Sequence, residues 1–319
     1  MGRGILVPKP YPGVKLVAPQ PLSQKSIYRS PAGREQVLAL HEKFLAALPA
    51  PCQSQMVDTS YGSTRVLTAG PAGGAPLVLL SGIHVGAART LLLLYPLAVS
   101  HRVYALDTIG QPGWSAQTRP PRQGHHYGHW VAQAMDGLGL ETASFLSMSF
   151  GASVLMDTAV YAPERIARAV LVTPAGVITP NILSLALKLA LPWTLHRLWP
   201  CRALLLSTIK RLAAEPEPQL LELFDATIRH VKWWVMPPGP FHKEQLARFT
   251  APTLLIMAQE DFFFPQQRLA PAARRVLPNL AAVETLEGRH IPSRQGLERI
   301  CSLAEQFLRN PKKMPKLSP

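Results

Sequence analysis

Acidic residues are scarce in this chain. Of its 319 residues, 19 are Asp or Glu against 33 Lys or Arg, a formal net charge of +14. Such an excess can draw a protein to nucleic acid or to an anionic membrane. The positives are scattered, however: there is no run of four basic residues and no zinc-finger spacing, and the tail at 310–319 adds only three lysines. A solvated basic surface is expected, and no nucleic-acid partner. Cysteine is scarcer still. Cys52, Cys201 and Cys301 are odd in number and form no CxxC pair, which argues against a disulfide framework or a structural zinc and suits a reducing compartment. Long apolar runs are missing too. The stretch near 91–98 is far below the roughly 20 residues that a membrane helix needs, and the one at 183–195 is broken by Lys188. Residues 1–30 have no apolar core of a signal peptide, so a soluble cytoplasmic protein is expected. No residue set calls for a metal or other cofactor.

What remains is ordinary globular material: 47% hydrophobic and 16% charged residues. The length allows two domains, or one large core with an insertion. Residues 1–30 hold five prolines and no periodicity, and read as an extended segment. A helix is expected over 30–48, with Ser30 as N-cap, Pro31 at the first helical position, and Val37, Leu38, Leu40, Phe44, Leu45 and Leu48 on its apolar side. SQMVDT and STRVLTAG, joined by Tyr61–Gly62, read as two antiparallel strands. Continuous apolar runs follow at 75–82, 101–110, 143–148 and 168–176, alternating with helical segments near 85–98, 126–140 and after 150. That alternation means a parallel α/β sheet covered on both faces. It stops at 177–246, which reads as helices only, and resumes with a strand in 251–261, a helix near 265–276, a strand at 281–288 and a helix near 293–308. The expected architecture is a core of 31–176 and 247–309 with a helical cap, 177–246, inserted between strands over the ligand-binding edge of the sheet. One side of that leucine-rich cap, with Trp193, Trp199, Trp233 and Trp234, must pack on the core, so much of its apolar content is expected to be buried.

The chemistry concentrates at Phe145–Leu146–Ser147–Met148–Ser149–Phe150–Gly151, a strand, then Ser-x-Ser-x-Gly, then a helix. This differs by one residue from the Gly-x-Ser-x-Gly nucleophile elbow. The turn is so tight that the residues two before and two after the nucleophile must be small. Gly151 meets the demand fully; Ser147 carries a Cβ, so the strand approach is expected to open slightly. A serine hydroxyl needs a base, and the base an orienting acid. His290 follows a strand in a loop that can reach Ser149, and Asp261 ends another strand, with Glu260 as its rival. Five other histidines, His41, His101, His196, His230 and His242, fall in helices or at their ends and read as structural. A tetrahedral intermediate also needs backbone donors. The amide of Phe150 is one, and Ile83, where Gly82 lets the chain turn closely, is the best candidate for the other. Ser81, Gly82, His84, Met148 and Phe262 are expected around the substrate. The cluster His125, His126 and His129 lacks the acids or cysteines of a metal site.

The chain resembles the α/β-hydrolase superfamily, in particular the lidded bacterial serine hydrolases found among esterases and carbon–carbon bond hydrolases. The resemblance rests on LVLLSGIHVGA, RVYALDTIGQPGWS, FLSMSFGASVLMDTAVYAPERIARAVLVTPAG, PTLLIMAQEDFFFP and GRHIP, spread over 55–308 without the cap. It implies a triad of Ser149, Asp261 and His290 in that chain order, an oxyanion hole of Ile83 and Phe150, and a pocket-shaping turn at Asp107, Gly110, Gly113 and Ser115. It implies hydrolysis of an ester, thioester or related carbonyl compound with an apolar group, through an acyl-enzyme. Two departures stand out: Ser81 where the family has histidine, and Ser147 where the elbow has glycine. They leave a second reading open, a degenerate hydrolase that binds a small apolar ligand or a protein partner. A homodimer is compatible with either.

Overall fold

The computed structural model describes residues 26–232 and 236–311. Most of the extended N-terminal segment and basic tail, and Trp233 and Trp234, lie outside the described residues. The first helix, α1 (Pro31–Ala46), begins where expected: the Ser30 side chain accepts a hydrogen bond from the Gly33 amide at 3.1 Å, with Pro31 at the first turn. A hairpin follows, β1 (Gln53–Thr59) and β2 (Gly62–Ala69). Thr59 pairs with Gly62, so the turn is Ser60–Tyr61 rather than Tyr61–Gly62.

The chain then alternates: β3 (Ala75–Leu80), α2 (Gly86–Leu93), β4 (His101–Leu106), α3 (His126–Gly137), β5 (Ala143–Met148), α4 (Phe150–Tyr161) and β6 (Ile166–Val172). A helical excursion comes next. It holds α5 (Ile182–Leu185), a π turn (Ala186–Ala190), α6 (Leu191–Leu198), α7 (Arg202–Leu212) and α8 (Pro218–His230). The alternation resumes with β7 (Thr253–Ala258), α9 (Gln266–Val276), β8 (Leu280–Leu286) and α10 (Arg294–Arg309). The eight strands form one sheet in the order β1-β2-β4-β3-β5-β6-β7-β8. Only β1 and β2 run against their neighbours; from β4 to β8 every pairing is parallel.

Strand side chains alternate between the faces. Val78, Leu80, Phe145, Leu171 and Leu255 pack with α3, α4 and α9 through Trp130, Met135, Leu155 and Leu269. Leu77, Leu79, Leu146, Val170 and Leu254 pack with α1, α2 and α10 through Phe44, Leu91, Ile300 and Phe307. Burial on both faces is why these strands read as unbroken apolar runs. Each large side chain so buried contributes about 1.5–3 kcal/mol.

The excursion leaves the sheet after β6 and returns to the adjacent strand β7. Its two ends meet: the Phe241 amide donates to the Gly176 carbonyl at 2.8 Å. Helix α8 ties it to the body, with Leu223 and Ala226 packed beside α1 residues and Lys43 paired to Glu222 at 2.7 Å. Helices α7 and α8 bury a small core of their own, Leu205, Ile209, Leu220 and Ile228. The expectation of mostly buried apolar residues fails on α5–α6, where Ile182, Leu183, Leu187, Leu191 and Leu198 are exposed. Opposite them only Leu189 and His196 are buried, because that helix touches its neighbours along one narrow face. Among the described residues no helix is long and apolar enough to cross a membrane.

Candidate active site

Strand β5 delivers Ser149 to the carboxyl edge of the sheet, next to the point where the strand order reverses between β3 and β5. Its backbone lies at φ 47° and ψ −111°, a region that a side-chain-bearing residue adopts only when its surroundings force it. The surroundings are a very tight strand-to-helix turn. The Ser149 amide donates to the Val172 carbonyl at 2.9 Å, and its carbonyl accepts from Ala152 at 3.0 Å and Ala175 at 3.1 Å. A Cβ on Gly151 would stand 2.3 Å from the Leu80 carbonyl oxygen, so only glycine fits there. The expected opening at Ser147 does not occur. Ser147 stays in register between Leu80 and Leu171, and its Cβ is absorbed in the buried sheet.

Two other loops converge on the serine. His290, after β8, places Nε2 2.9 Å from Ser149 Oγ and Nδ1 2.9 Å from Asp261 Oδ2. The other oxygen of Asp261 accepts from the Phe263 and Phe264 amides at 2.8 and 2.9 Å. Burial alone would raise the Asp261 pKa. The His290 imidazole and the two amides outweigh it, so the carboxyl is held below the usual range. The rival Glu260 is exposed and pairs with Arg289 at 3.4 Å, away from the imidazole. In a line of this kind the imidazole can take the hydroxyl proton while the carboxylate steadies the resulting cation.

The loop after β3 runs alongside. Gly82 abuts the serine: a Cβ there would lie 3.8 Å from the Ser149 Cβ and 3.6 Å from Val85. These are ordinary contacts and Gly82 has no positive φ, so close turning does not require this glycine. The steric demand falls on Gly86 instead, at φ 75°, where a Cβ would meet His41 at 2.2 Å. Ile83 follows Gly82 and is half-buried. The Phe150 amide opens α4, so it has no acceptor within its helix. Ser81 is buried, with no hydrogen-bond partner for its hydroxyl among the described residues. Met148 is half-buried at the end of β5. His84 sits at φ 62° with its amide donating to Gln111 Oε1 at 3.2 Å. Burial, reinforced by Arg119, lowers its pKa to about 3, so the ring is neutral at physiological pH.

Phe262 follows Asp261 and is half-buried. It lines an open depression of about 400 Å³ with Ser207, Lys210, Arg211, Glu260 and Arg289. Its ring is edge-on to Phe263 at 5.3 Å; Phe263 is in turn edge-on to His290 at 4.6 Å, and Phe264 packs on the same imidazole at 5.7 Å. Sequence reasoning passed over both residues, although the run of three phenylalanines directly after Asp261 was visible. The Asp107 turn is a brace: its carboxylate accepts from the Ala87 and Trp114 amides at 2.8 and 3.0 Å. His126 and His129 share the Tyr61 hydroxyl, at 3.0 and 3.2 Å, and His125 bonds Asp157 at 2.8 Å.

A mostly parallel eight-stranded sheet, with helices on both faces and a strained serine at its carboxyl edge, defines the α/β-hydrolase fold, and this chain has it. No family model matches the sequence. The chain is 23% identical over 280 residues to the carboxylesterase YbfK of Bacillus subtilis (strain 168), covering 84% of this chain and 92% of that protein. It is 34% identical over 113 residues to the 2-hydroxymuconate semialdehyde hydrolase of Pseudomonas sp. (strain CF600), covering 34% of this chain and 39% of that protein. Among solved structures, the carboxylesterase CesB (YbfK) from Bacillus subtilis superposes with a TM-score of 0.74 at 22% identity, over 87% of this chain and 98% of that one. The resemblance read from the sequence holds at the level of the fold.

Proposed function

We propose that this protein is a serine hydrolase that cleaves a small ester with an apolar group through an acyl-enzyme. The observation that carries the reading is the unbroken line from Ser149 Oγ through the His290 ring to Asp261, at 2.9 Å for each step. In this reading Ser149 Oγ bonds to the substrate carbonyl carbon as His290 Nε2 takes its proton. The carbonyl electron pair moves onto oxygen, where the Ile83 and Phe150 amides receive it. Collapse re-forms the carbonyl and expels the alcohol, which leaves with the proton from His290. Water then attacks the acyl-enzyme with His290 as base, and releases the acid and free Ser149. Asp261 stays ionised throughout and stabilises the imidazolium.

Ser81, Gly82, His84 and Met148 would form the near wall of the substrate pocket, and residues 177–246 its cap. An ester is favoured over a carbon–carbon bond because the match to a carboxylesterase spans 92% of that protein, and the match to the semialdehyde hydrolase 39%. The test is covalent labelling by a fluorophosphonate probe, followed by turnover of p-nitrophenyl esters of graded chain length. Labelling of the wild type that is lost in Ser149→Ala and His290→Ala supports the enzyme. A folded wild type that never labels supports a degenerate hydrolase that only binds.

A further inference from the structure

The helical excursion carries a feature that the chemistry at Ser149 leaves unused. From α5 through the π turn into α6, Leu183, Leu187, Leu191, Leu195 and Leu198 recur every four, four, four and three residues, which puts them on one side of the helix. Their exposure runs from 39% to 69%, and Trp199, where the helix ends, is 70% exposed. The helix cannot turn this stripe inward. Its opposite side carries buried Leu189 and buried His196, whose Nε2 bonds Asp225 at 2.8 Å and whose Nδ1 lies 3.0 Å from the Cys201 carbonyl. A continuous leucine surface of this extent marks an interaction face.

Charge selects the occupant. No acid occurs from Ile182 to Ala214, while Lys188, Arg197, Arg202, Lys210 and Arg211 do. At 100° per residue, Lys188 and Arg197 fall on the two flanks of the stripe. A leucine face with basic flanks, an aromatic end and no acid is the pattern of a helix that lies in a bilayer interface. A second copy of the chain fits poorly: stripe against stripe would crowd the same cations together without a carboxylate on that helix to pair them.

We propose that this face docks on an anionic phospholipid surface, with the leucines at the acyl boundary, Lys188 and Arg197 on lipid phosphates, and Trp199 at the headgroups. The inference does not depend on hydrolysis. It is tested by co-sedimentation of the full chain with vesicles of phosphatidylglycerol and phosphatidylcholine, against phosphatidylcholine alone. The chain is expected to bind the anionic vesicles about tenfold or more tightly than the neutral ones, with the preference falling at high salt. Leu187→Glu with Leu191→Glu changes exposed positions only. It should abolish sedimentation while leaving the circular-dichroism melting curve in place. Lys188→Glu with Arg197→Glu should remove the anionic preference. A wild type that stays in solution with anionic vesicles overturns the proposal, and so do leucine variants that sediment like the wild type. A dimer in analytical ultracentrifugation that the leucine variants dissolve overturns it in favour of self-association.

Discussion

The Ile291 amide donates to the Leu212 carbonyl at 2.7 Å, so the residue after His290 is hydrogen-bonded to the last turn of α7. Arg289, on the other side of His290, reaches the Lys210 carbonyl of the same helix. The imidazole is thus strapped to the excursion at both neighbours while its own nitrogens face Asp261 and Ser149. Loss of one strap should loosen the imidazole without removing it. Arg289→Ala is expected to lower kcat several-fold on a soluble ester while a fluorophosphonate probe still labels to completion, measured by steady-state kinetics and intact-mass spectrometry.

Each member of the line should matter far more than its surroundings. Ser149→Ala and His290→Ala are each expected to lower kcat about 10⁶-fold, and Asp261→Asn about 10⁴-fold, with the fold intact by circular dichroism.

Phe263 buttresses the imidazole edge-on, 4.6 Å between ring centres. Phe263→Ala is expected to lower kcat about 10- to 100-fold with little change in KM, since misplacement of a catalytic group by about 1 Å has that effect. Phe262→Ala, one ring further out, should change kcat much less. Steady-state kinetics on the two variants side by side checks the difference.

Gly151 is a steric necessity. Gly151→Ala would press a methyl group into the Leu80 carbonyl, which cannot move without breaking the β3–β5 pairing. A loss of about 1–3 kcal/mol is expected in urea unfolding, together with lost activity.

Two buried groups should set opposite ends of the acid response. The folded pKa of His84 is lowered to about 3, so below about 6.5 the unfolded chain takes up a proton that the native one refuses. His84 alone should take about 1.4 kcal/mol per pH unit off the stability from there downward, and His41, His126, His129 and His230, which burial lowers as well, add to the fall. His84→Asn keeps a residue tolerant of the positive φ at that position and should flatten this slope. Asp261 acts lower. Its folded pKa is depressed, so its contribution is fully present above the unfolded carboxyl value of about 3.9 and is lost as pH falls through the folded value. The stability gap between wild type and Asp261→Asn should hold from neutral pH to about 4.5 and close below it. Urea midpoints between pH 3 and 8 test both.

The core was legible because burial on both faces leaves a plain mark. The runs around Leu77–Leu80, Phe145–Leu146, Val170–Val172 and Leu254–Ile256 have no polar gap, and each became a central strand. The serine turn was legible because steric exclusion writes itself as a glycine, at Gly151. Gly82 misled for the converse reason: a glycine in a loop need not be sterically required. The rings around His290 were not legible. Phe262, Phe263 and Phe264 are chemically alike, and which of them meets the imidazole depends on how the Asp261 carboxylate caps the turn they share. The exposed leucines of α5–α6 were not legible, because a leucine-rich composition does not tell a face turned to protein from one turned to solvent.

The amide-to-carbonyl bond from Phe241 to Gly176 closes the excursion at its base, between two strands that are already neighbours. Closing a longer or shorter loop between fixed, adjacent ends changes the chain entropy only slowly with length. The sheet therefore does not register how much chain is spliced in at that point. Apart from the end of α7, which straps both neighbours of His290, the part that would choose the substrate can be rebuilt or exchanged while the strands that carry the serine, imidazole and carboxylate keep their register, which leaves selectivity and scaffold tunable separately everywhere but at that strap.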